Sequence, residues 1–242
     1  MKNNEIKPYK KEFEYSYTIG ASPVIEMLKE KPDIVEKIFI HSKFIDDSLI
    51  KKICGDKIEI VYGDKIFTRL NINDNSYILG IFKKYKTSLS ETKPHIMLVN
   101  PGDMGNLGSI IRTVLGFGYT DLAVITPAAD IFNPKTVRAS MGAVFKLNFS
   151  LYDSLQGYRE KYPAHKLFPF MLDGNIILTP DNCFREKKFT LIFGNEAGGL
   201  DASYHSVGET LKIPQSDNID SLNLSIAVGI GSFIFALKND LI

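Results

Sequence analysis

The residues best suited to chemistry lie in one short stretch, 100–112, which reads NPGDMGNLGSIIR. It packs three glycines, two asparagines and an arginine between an apolar run, 96–99, and a segment with helical spacing, 109–117. The apolar run predicts a buried strand and the later spacing predicts a helix. The stretch is therefore expected to be a loop between a strand end and a helix start, where open α/β sheets usually bind ligands.

Three later segments add further candidate groups. Residues 191–200 predict a strand that runs into a glycine-rich turn with one carboxylate, Glu196. Residues 213–215 form a short second segment, and residues 220–225 open an apolar helix reaching 237. Without a motif, the glycines would be read as turn residues and the polar side chains as helix or turn caps.

Together these segments resemble the three motifs of the SpoU/TrmH family of RNA ribose 2′-O-methyltransferases, part of the SPOUT class. The resemblance covers about 95–237, and residues 137–142 form a further family segment. It implies an α/β fold whose C-terminal SPOUT domain has a mostly parallel sheet tied into a trefoil knot, a rare exception among chain topologies. The catalytic positions it implies are Asn106, Arg112, Glu196, Ser221 and Asn223.

The resemblance also implies S-adenosylmethionine as methyl donor. Family members bind the donor bent within the knot, largely through main-chain groups and apolar side chains. The matching positions here are Leu172, Gly194, Ile213, Gln215 and Leu222. Glycines at 194, 198 and 199 suit that role because a backbone that approaches a ligand closely cannot carry a Cβ atom.

Arg112 is the first candidate for catalysis, because the matching arginine is essential in the family and has been proposed to activate the 2′-hydroxyl. A guanidinium has a pKa above about 12 and almost never loses its proton in proteins. We therefore expect Arg112 to bind the phosphate beside the target ribose and to stabilise the developing alkoxide.

The remaining catalytic candidates have two interpretations each. Asn106 and Asn223 would orient Arg112 or the ribose, with Ser221 in the same cluster, or would simply cap helices and turns. Glu196 would orient Asn106 or the donor, would take the proton, or would be an ordinary acidic residue at a helix N-terminus.

Charge is distributed unevenly along a chain whose net charge is only +1. Residues 1–90 hold 16 Lys and Arg against 13 Asp and Glu, whereas residues 91–242 hold 13 against 15. The basic surface is thus expected in the N-terminal part, including Lys83 and Lys84, as RNA-binding residues. Arg138 matches a family arginine that contacts RNA phosphate; in isolation it would be a surface charge.

Element patterning predicts a polar tail (1–15), a small α/β domain (16–85), a linker (86–94) and the SPOUT methyltransferase domain (95–242). The first domain resembles the ribosomal-protein-like RNA-binding domain that precedes the catalytic domain in many rRNA-modifying members. Its presence favours rRNA over tRNA, and family membership implies a homodimer through the C-terminal domain.

Other classes receive little support. The two cysteines and four histidines have no ligand spacing, so no metal is expected. The glycine spacing after residue 101 fits neither a dinucleotide fingerprint nor a P-loop. A polar start and a short last apolar stretch predict a cytoplasmic protein without a membrane span.

The sequence thus predicts transfer of a methyl group from S-adenosylmethionine to a ribose 2′-hydroxyl in structured RNA. Three alternatives stay open: a tRNA 2′-O-methyltransferase, a catalytically silent RNA-binding or ribosome-assembly factor on the same fold, and a nucleotide-dependent enzyme of ordinary doubly wound topology.

Overall fold

The computed structural model describes residues 6–72 and 76–242. They form two compact units. The N-terminal unit comprises the described residues through Tyr85 together with Asp130–Lys146. The C-terminal unit comprises Lys86–Ala129 and Leu147–Ile242. Residues 1–5 of the predicted polar tail lie outside the described residues.

The two units contain the following elements. The strands are β1 (Tyr15–Ile19), β2 (Val35–Ile40), β3 (Ile60–Tyr62), β4 (Ile78–Lys83), β5 (His95–Val99), β6 (Asp121–Ile125), β7 (Asn148–Tyr152), β8 (Lys166–Pro169), β9 (Ile176–Ile177), β10 (Phe189–Phe193) and β11 (Leu211–Lys212). The α-helices are α1 (Ala21–Glu30), α2 (Ser48–Cys54), α3 (Lys65–Arg69), α4 (Met104–Gly116), α5 (Pro134–Ala139), α6 (Leu155–Lys161) and α7 (Leu224–Lys238).

A four-stranded sheet with the order β1-β4-β2-β3 organises the N-terminal unit. Strand β4 runs antiparallel to β1 and β2, and β3 is parallel to β2. Phe39, Leu79 and Ile81 lie in the buried core of this unit. Helices and strands alternate in the described part of residues 16–85, as expected, although no sequence pattern had indicated β1 or α3.

Residues 130–146 pack within the N-terminal unit, whereas the predicted boundaries assign them to the C-terminal domain. The Ser16 hydroxyl donates to the Phe132 carbonyl oxygen at 2.5 Å. The Phe82 ring contacts those of Phe132 and Phe145, with centroids 6.0 and 5.1 Å apart. Burial of these aromatic rings explains why residues 130–146 belong to the N-terminal unit. The sequence pattern of consecutive βα units had placed them in the C-terminal domain.

The C-terminal unit is built on a fully parallel sheet with the order β7-β6-β5-β10-β8. Strands β5, β6 and β10 are buried throughout, as expected for a parallel sheet covered on both faces. Helix α4 packs against α7. Within the described ranges, none of the helices has the length and apolar character needed to cross a bilayer.

The predicted linker, residues 86–94, is attached to this unit. Leu89 is buried in its core. The Ser90 backbone N–H donates to Asp121 Oδ1 at 2.7 Å, and the Ser90 carbonyl accepts from the His95 ring at 2.7 Å. Thr87 adds hydrogen bonds to Phe149 and Ser150, so a segment without hydrophobic periodicity is held by a buried leucine and several polar contacts.

Helix α4 begins at Met104, five residues before the predicted start at residue 109. The Asp103 side chain caps it by accepting the Asn106 backbone N–H at 2.7 Å. Two glycines in the first turns, at 105 and 108, conceal the helical period in the sequence. Asn106 consequently lies on a helix rather than in a loop.

Candidate active site

The candidate site lies where the carboxyl ends of the neighbouring strands β5 and β10 meet. After β5 the chain passes to β6 on one side of this pair. After β10 it passes to β11 on the other side, where Leu211 of β11 pairs with Phe170 just beyond β8. Connections that leave in opposite directions open a crevice at this edge of a parallel sheet. The loops after β5 and β10 both border this crevice.

Glu196, in the loop after β10, binds the loop after β5. Its Oε2 accepts the Gly102 backbone N–H at 3.0 Å, and its Oε1 accepts the Asp103 N–H at 3.2 Å. The Asn106 side-chain amide also donates to Oε1, at 3.2 Å. The carboxylate therefore joins both loops and the start of α4.

The same contacts decide the charge state of Glu196. Burial acts to raise the pKa of this carboxyl, but hydrogen bonds from Gly102, Asn106, Asp103 and its own backbone outweigh burial and lower the pKa below its ordinary value. A carboxylate that is stabilised in this way is a weak proton acceptor. The geometry favours the orienting role predicted for Glu196 over the proton-accepting one.

Asn106 extends the network to α7. Its Oδ1 accepts the Asn223 side-chain amide at 3.2 Å, while its own amide faces Glu196. Since a carboxylate only accepts hydrogen bonds, the orientation of the Asn106 amide is fixed by its partners. Asn223 also caps α7, because its Oδ1 accepts the Ser225 backbone N–H at 2.8 Å. Asn223 is therefore a helix cap, and its side-chain amide contacts Asn106.

Arg112 and Ser221 lie outside this network. Arg112 is exposed on α4, six residues after Asn106 and so about 9 Å farther along the helix axis. It makes no hydrogen bond or ion pair with the residues that the structure describes. Ser221 borders the neighbouring pocket, also without such a bond among those residues. Asn106 binds Glu196 and Asn223 binds Asn106, whereas Arg112 has no such bond to either asparagine.

A second clamp between the loops involves residues that the sequence analysis did not single out. The Asn195 side-chain amide donates to the Asn100 carbonyl oxygen at 2.6 Å. Asn100 has a φ of +51°, in the left-handed region that asparagine tolerates, and its amide donates to the Pro127 carbonyl at 3.2 Å. Residues 195 and 196 together fix the loop that leads into α4. An asparagine at the end of a strand was the available signal.

A pocket of about 510 Å³ adjoins this network, within the range of about 300–1,000 Å³ typical of small-molecule sites. All five positions matched to donor binding border it. They are Leu172, Gly194, Ile213, Gln215 and Leu222. Residues 194–200 and several apolar residues border it, and Gln215 also donates to the Asp220 carbonyl at 3.2 Å.

The glycines of this turn have different physical reasons. A Cβ atom on Gly194 would lie 2.0 Å from the Gly199 carbonyl carbon, so the protein's own backbone requires that glycine. Gly199 has a φ of +66° and closes the turn. A Cβ atom on Gly198 would meet nothing within 4 Å. Gly198 is thus the one of the three that neither backbone packing nor a positive φ requires to be glycine, and it borders the pocket.

The predicted RNA-binding residues lie in the N-terminal unit. Lys83 is exposed at the end of β4. Lys84 Nζ donates to the Lys11 carbonyl at 2.7 Å and lies 4.7 Å from the centre of the Tyr9 ring, so its ammonium is already engaged. Arg138 is exposed on α5. Among the described residues, no group of three His, Cys, Asp or Glu side chains could hold a metal ion.

Comparison with known proteins identifies the family of this chain. Residues 93–233 match the SpoU rRNA Methylase family, so the chain belongs to that family. This confirms the resemblance seen in the motifs.

Three relatives illustrate the range of the match. A 23S rRNA (guanosine(2553)-2′-O)-methyltransferase of Bacillus subtilis, RlmP, is 23% identical over 95% of this chain and 94% of its own length. A 23S rRNA (uridine(2479)-2′-O)-methyltransferase of Streptomyces viridochromogenes is 31% identical over 54% of this chain. An uncharacterized tRNA/rRNA methyltransferase of Synechocystis is 30% identical over 53%. The matched part spans about half the length of the last two proteins, 48% and 47%.

Solved structures establish the fold. The AdoMet-bound rRNA methyltransferase of Sinorhizobium meliloti superposes with a TM-score of 0.77, covering 91% of this chain and 86% of that one at 24% identity. The SpoU methyltransferase AviRb of Streptomyces viridochromogenes gives 0.79, covering 94% and 90% at 19% identity. The predicted α/β architecture with a mostly parallel sheet is thereby confirmed.

Proposed function

We propose that this protein transfers a methyl group from S-adenosylmethionine to the ribose 2′-hydroxyl of a nucleotide in ribosomal RNA. The observation that carries the proposal is the convergence of the five donor-matched positions on one pocket beside the Glu196, Asn106 and Asn223 network. The Bacillus and Streptomyces relatives, which are 23S rRNA 2′-O-methyltransferases, support both the reaction and the RNA class.

Ribosomal RNA is favoured over transfer RNA by the extent of the matches. The Bacillus rRNA enzyme aligns over 95% of this chain. A putative tRNA (cytidine(34)-2′-O)-methyltransferase of Listeria innocua is 32% identical but aligns over only 54%. The N-terminal unit, which the shorter relative has no room to match in full, would bind the RNA through shape, single-stranded loops and phosphate contacts.

The pocket suits the donor's chemistry. Leu172, Ile213 and Leu222 provide apolar walls, Gln215 provides an amide, and the open space at Gly198 leaves room for close approach to the backbone. When bound, S-adenosylmethionine supplies an electrophilic methyl group on a sulfonium centre. Held in line with a ribose oxygen, such reactants gain about 7–11 kcal/mol through proximity and orientation.

The chain's own residues have distinct roles in this proposal. Glu196 fixes the loop after β5 and binds Asn106 on α4, and Asn223 joins Asn106 to the start of α7. Arg112, exposed and without a partner among the described residues, is available for the RNA phosphate beside the target ribose. Its fixed positive charge would stabilise the developing alkoxide without accepting a proton; the hydroxyl proton would pass to water as the methyl–sulfur bond breaks and S-adenosylhomocysteine leaves.

A homodimer through the C-terminal unit is part of the proposal. Ile226, Phe233 and Leu237 are 53, 42 and 50% exposed and recur at helical spacing along α7. An apolar stripe of this kind is typical of an interface. The trefoil knot and residence in the cytoplasm are further expectations of the family assignment.

Methyl incorporation from labelled S-adenosylmethionine into protein-free rRNA and tRNA from a deletion strain tests the function. We expect incorporation into rRNA that is lost in Arg112→Ala and falls by at least about tenfold in Arg112→Lys, because an ammonium lacks the planar fork of a guanidinium. Arg159→Lys, an exposed arginine on α6, is the matched control.

The alternatives give different results. Labelling of tRNA alone would transfer the assignment to the tRNA class. Absence of both donor binding and incorporation would indicate the silent assembly factor, and near-normal turnover in Arg112→Lys would contradict the proposed role of the guanidinium.

A further inference from the structure

The pocket beside the Glu196 network carries an uneven charge. Among the described residues that border it, the charged side chains are both acidic: Glu196 and Asp173. Both carboxylate oxygens of Glu196 accept hydrogen bonds from the loop after β5. Asp173 is therefore the carboxylate of this pocket that can accept a hydrogen bond from a ligand.

Asp173 is presented by a well-fixed turn. The Gly174 backbone N–H donates to the Met171 carbonyl at 3.2 Å, and the Met171 N–H donates to the Leu211 carbonyl at 2.9 Å. A Cβ atom on Gly174 would lie 2.5 Å from the Leu211 carbonyl carbon, so the turn sits directly against β11. The position of residue 173 at the pocket is thus set by backbone packing.

His205 holds the Asp173 side chain. Its Nε2 lies 3.1 Å from Asp173 Oδ2. An ionised carboxylate only accepts, so the imidazole donates this hydrogen bond. The His205 side chain is 33% exposed and that of Asp173 is 74% exposed. One carboxylate oxygen is thereby occupied and oriented by a partly buried ring, and Oδ1 is left for a ligand.

We propose that Asp173, positioned by His205, is a donor-binding residue that accepts a hydrogen bond from an N–H or O–H group of S-adenosylmethionine. The proposal rests on the function proposed above. The donor carries three such groups, its α-ammonium, its ribose hydroxyls and the adenine amino group, and the thioether product S-adenosylhomocysteine keeps all three. Asp173 therefore contributes to the affinity of donor and product alike.

Isothermal titration of S-adenosylmethionine and S-adenosylhomocysteine into wild type, Asp173→Asn and Asp181→Asn tests the proposal. Asparagine keeps the shape of aspartate and removes its charge. We expect the Kd of both ligands to rise by about fivefold or more in Asp173→Asn. Asp181 is an exposed aspartate that does not border the pocket, and its variant is expected to bind as wild type does.

His205 is tested in parallel as the positioning residue. His205→Ala should raise the Kd by about threefold, and His205→Gln, which keeps a side-chain N–H, should restore part of the affinity. Failure of the glutamine variant to bind better than the alanine variant would overturn the positioning role.

The arms of the experiment separate the failures. Tight donor binding by wild type with no difference between Asp173→Asn and Asp181→Asn would overturn the inference while leaving the proposed function in place. Absence of donor binding by wild type would remove both. Titration with methylthioadenosine, which lacks the amino-acid part, assigns the contact: a retained effect of Asp173→Asn indicates the nucleoside part, through its ribose hydroxyls or adenine amino group, and a lost effect indicates the ammonium.

Discussion

At the scale of single residues, Glu196 clamps the loop after β5 to the loop after β10. Three donors from the loop after β5 and the start of α4 hold its carboxylate in the charged form. A group whose folded pKa is lowered contributes stability above its unfolded pKa and loses that contribution as pH falls through the folded value. The clamp is therefore intact at neutral pH and opens only under acidic conditions, below about pH 4.5.

The turn glycines give a prediction at the same scale. Gly194→Ala should lower Tm by roughly 5 °C or more, because the added methyl group overlaps the Gly199 backbone. Gly198→Ala should leave Tm within about 1 °C, because its Cβ atom meets nothing, yet should weaken donor binding by about tenfold if the donor approaches that backbone. Calorimetric unfolding and titration of the donor check both variants, and unchanged donor affinity in Gly198→Ala would refute the close approach.

Most residues of the candidate site could be predicted from the sequence, but the contacts between them could not. The motif positions Asn106, Glu196 and Asn223 do come together. The contact of Asn195 with Asn100 was missed, because a side-chain bond to a distant carbonyl leaves no trace in spacing or composition. The motif also grouped Arg112 with the asparagines, whereas its placement six residues along α4 separates them.

At the scale of the secondary-structure elements, the main feature is a buried polar cluster. It lies at the amino-terminal ends of the strands, opposite the candidate site. The His95 ring donates through Nε2 to the Ser90 carbonyl at 2.7 Å, so in its neutral form Nδ1 accepts the Tyr158 hydroxyl, also at 2.7 Å. Tyr158 in turn contacts the Thr190 hydroxyl at 2.6 Å. The cluster joins β5, α6 and β10 to the segment predicted as a linker.

This cluster makes folding sensitive to acid. Burial, aided by the nearby His165 ring, lowers the pKa of His95 to about 4. The unfolded ring takes up a proton near pH 6.5, so its contribution to stability is complete above that pH and falls as pH drops from 6.5 to 4, by about 3 kcal/mol in total.

Urea unfolding of wild type and His95→Gln between pH 4 and 8 checks this prediction. The free energy of unfolding should fall more steeply below pH 6.5 in wild type. The variant should keep some slope because burial also lowers the pKa of His165. Superimposable slopes would show that His95 does not carry the effect.

Elements were easier to predict than their ends. The strand predicted at 96–99 lies within β5, because a continuous apolar run marks a buried strand clearly. Helix ends depended on caps: Asp103 and Asn223 set the starts of α4 and α7 through single side-chain bonds. The two-residue strands β9 and β11 are too short to produce any pattern.

The α7 stripe gives the prediction for the whole molecule. Ile226→Asp combined with Leu237→Asp should convert a dimer into a monomer in sedimentation velocity, because two carboxylates would have to be desolvated in the interface. Ile45→Asp, at a fully exposed isoleucine of the N-terminal unit, is the matched control and should leave the dimer intact. A wild-type protein that sediments as a monomer would refute the proposed assembly.

The chemical position of the methyl group tests the account most directly. After reaction with labelled S-adenosylmethionine, the rRNA is digested to nucleosides and analysed by mass spectrometry. The account predicts that the label resides on the ribose of one nucleoside, as a 2′-O-methyl group, and that Arg112→Ala abolishes it. Label on a base, or label that persists in Arg112→Ala, would contradict the assignment of this site to ribose methylation.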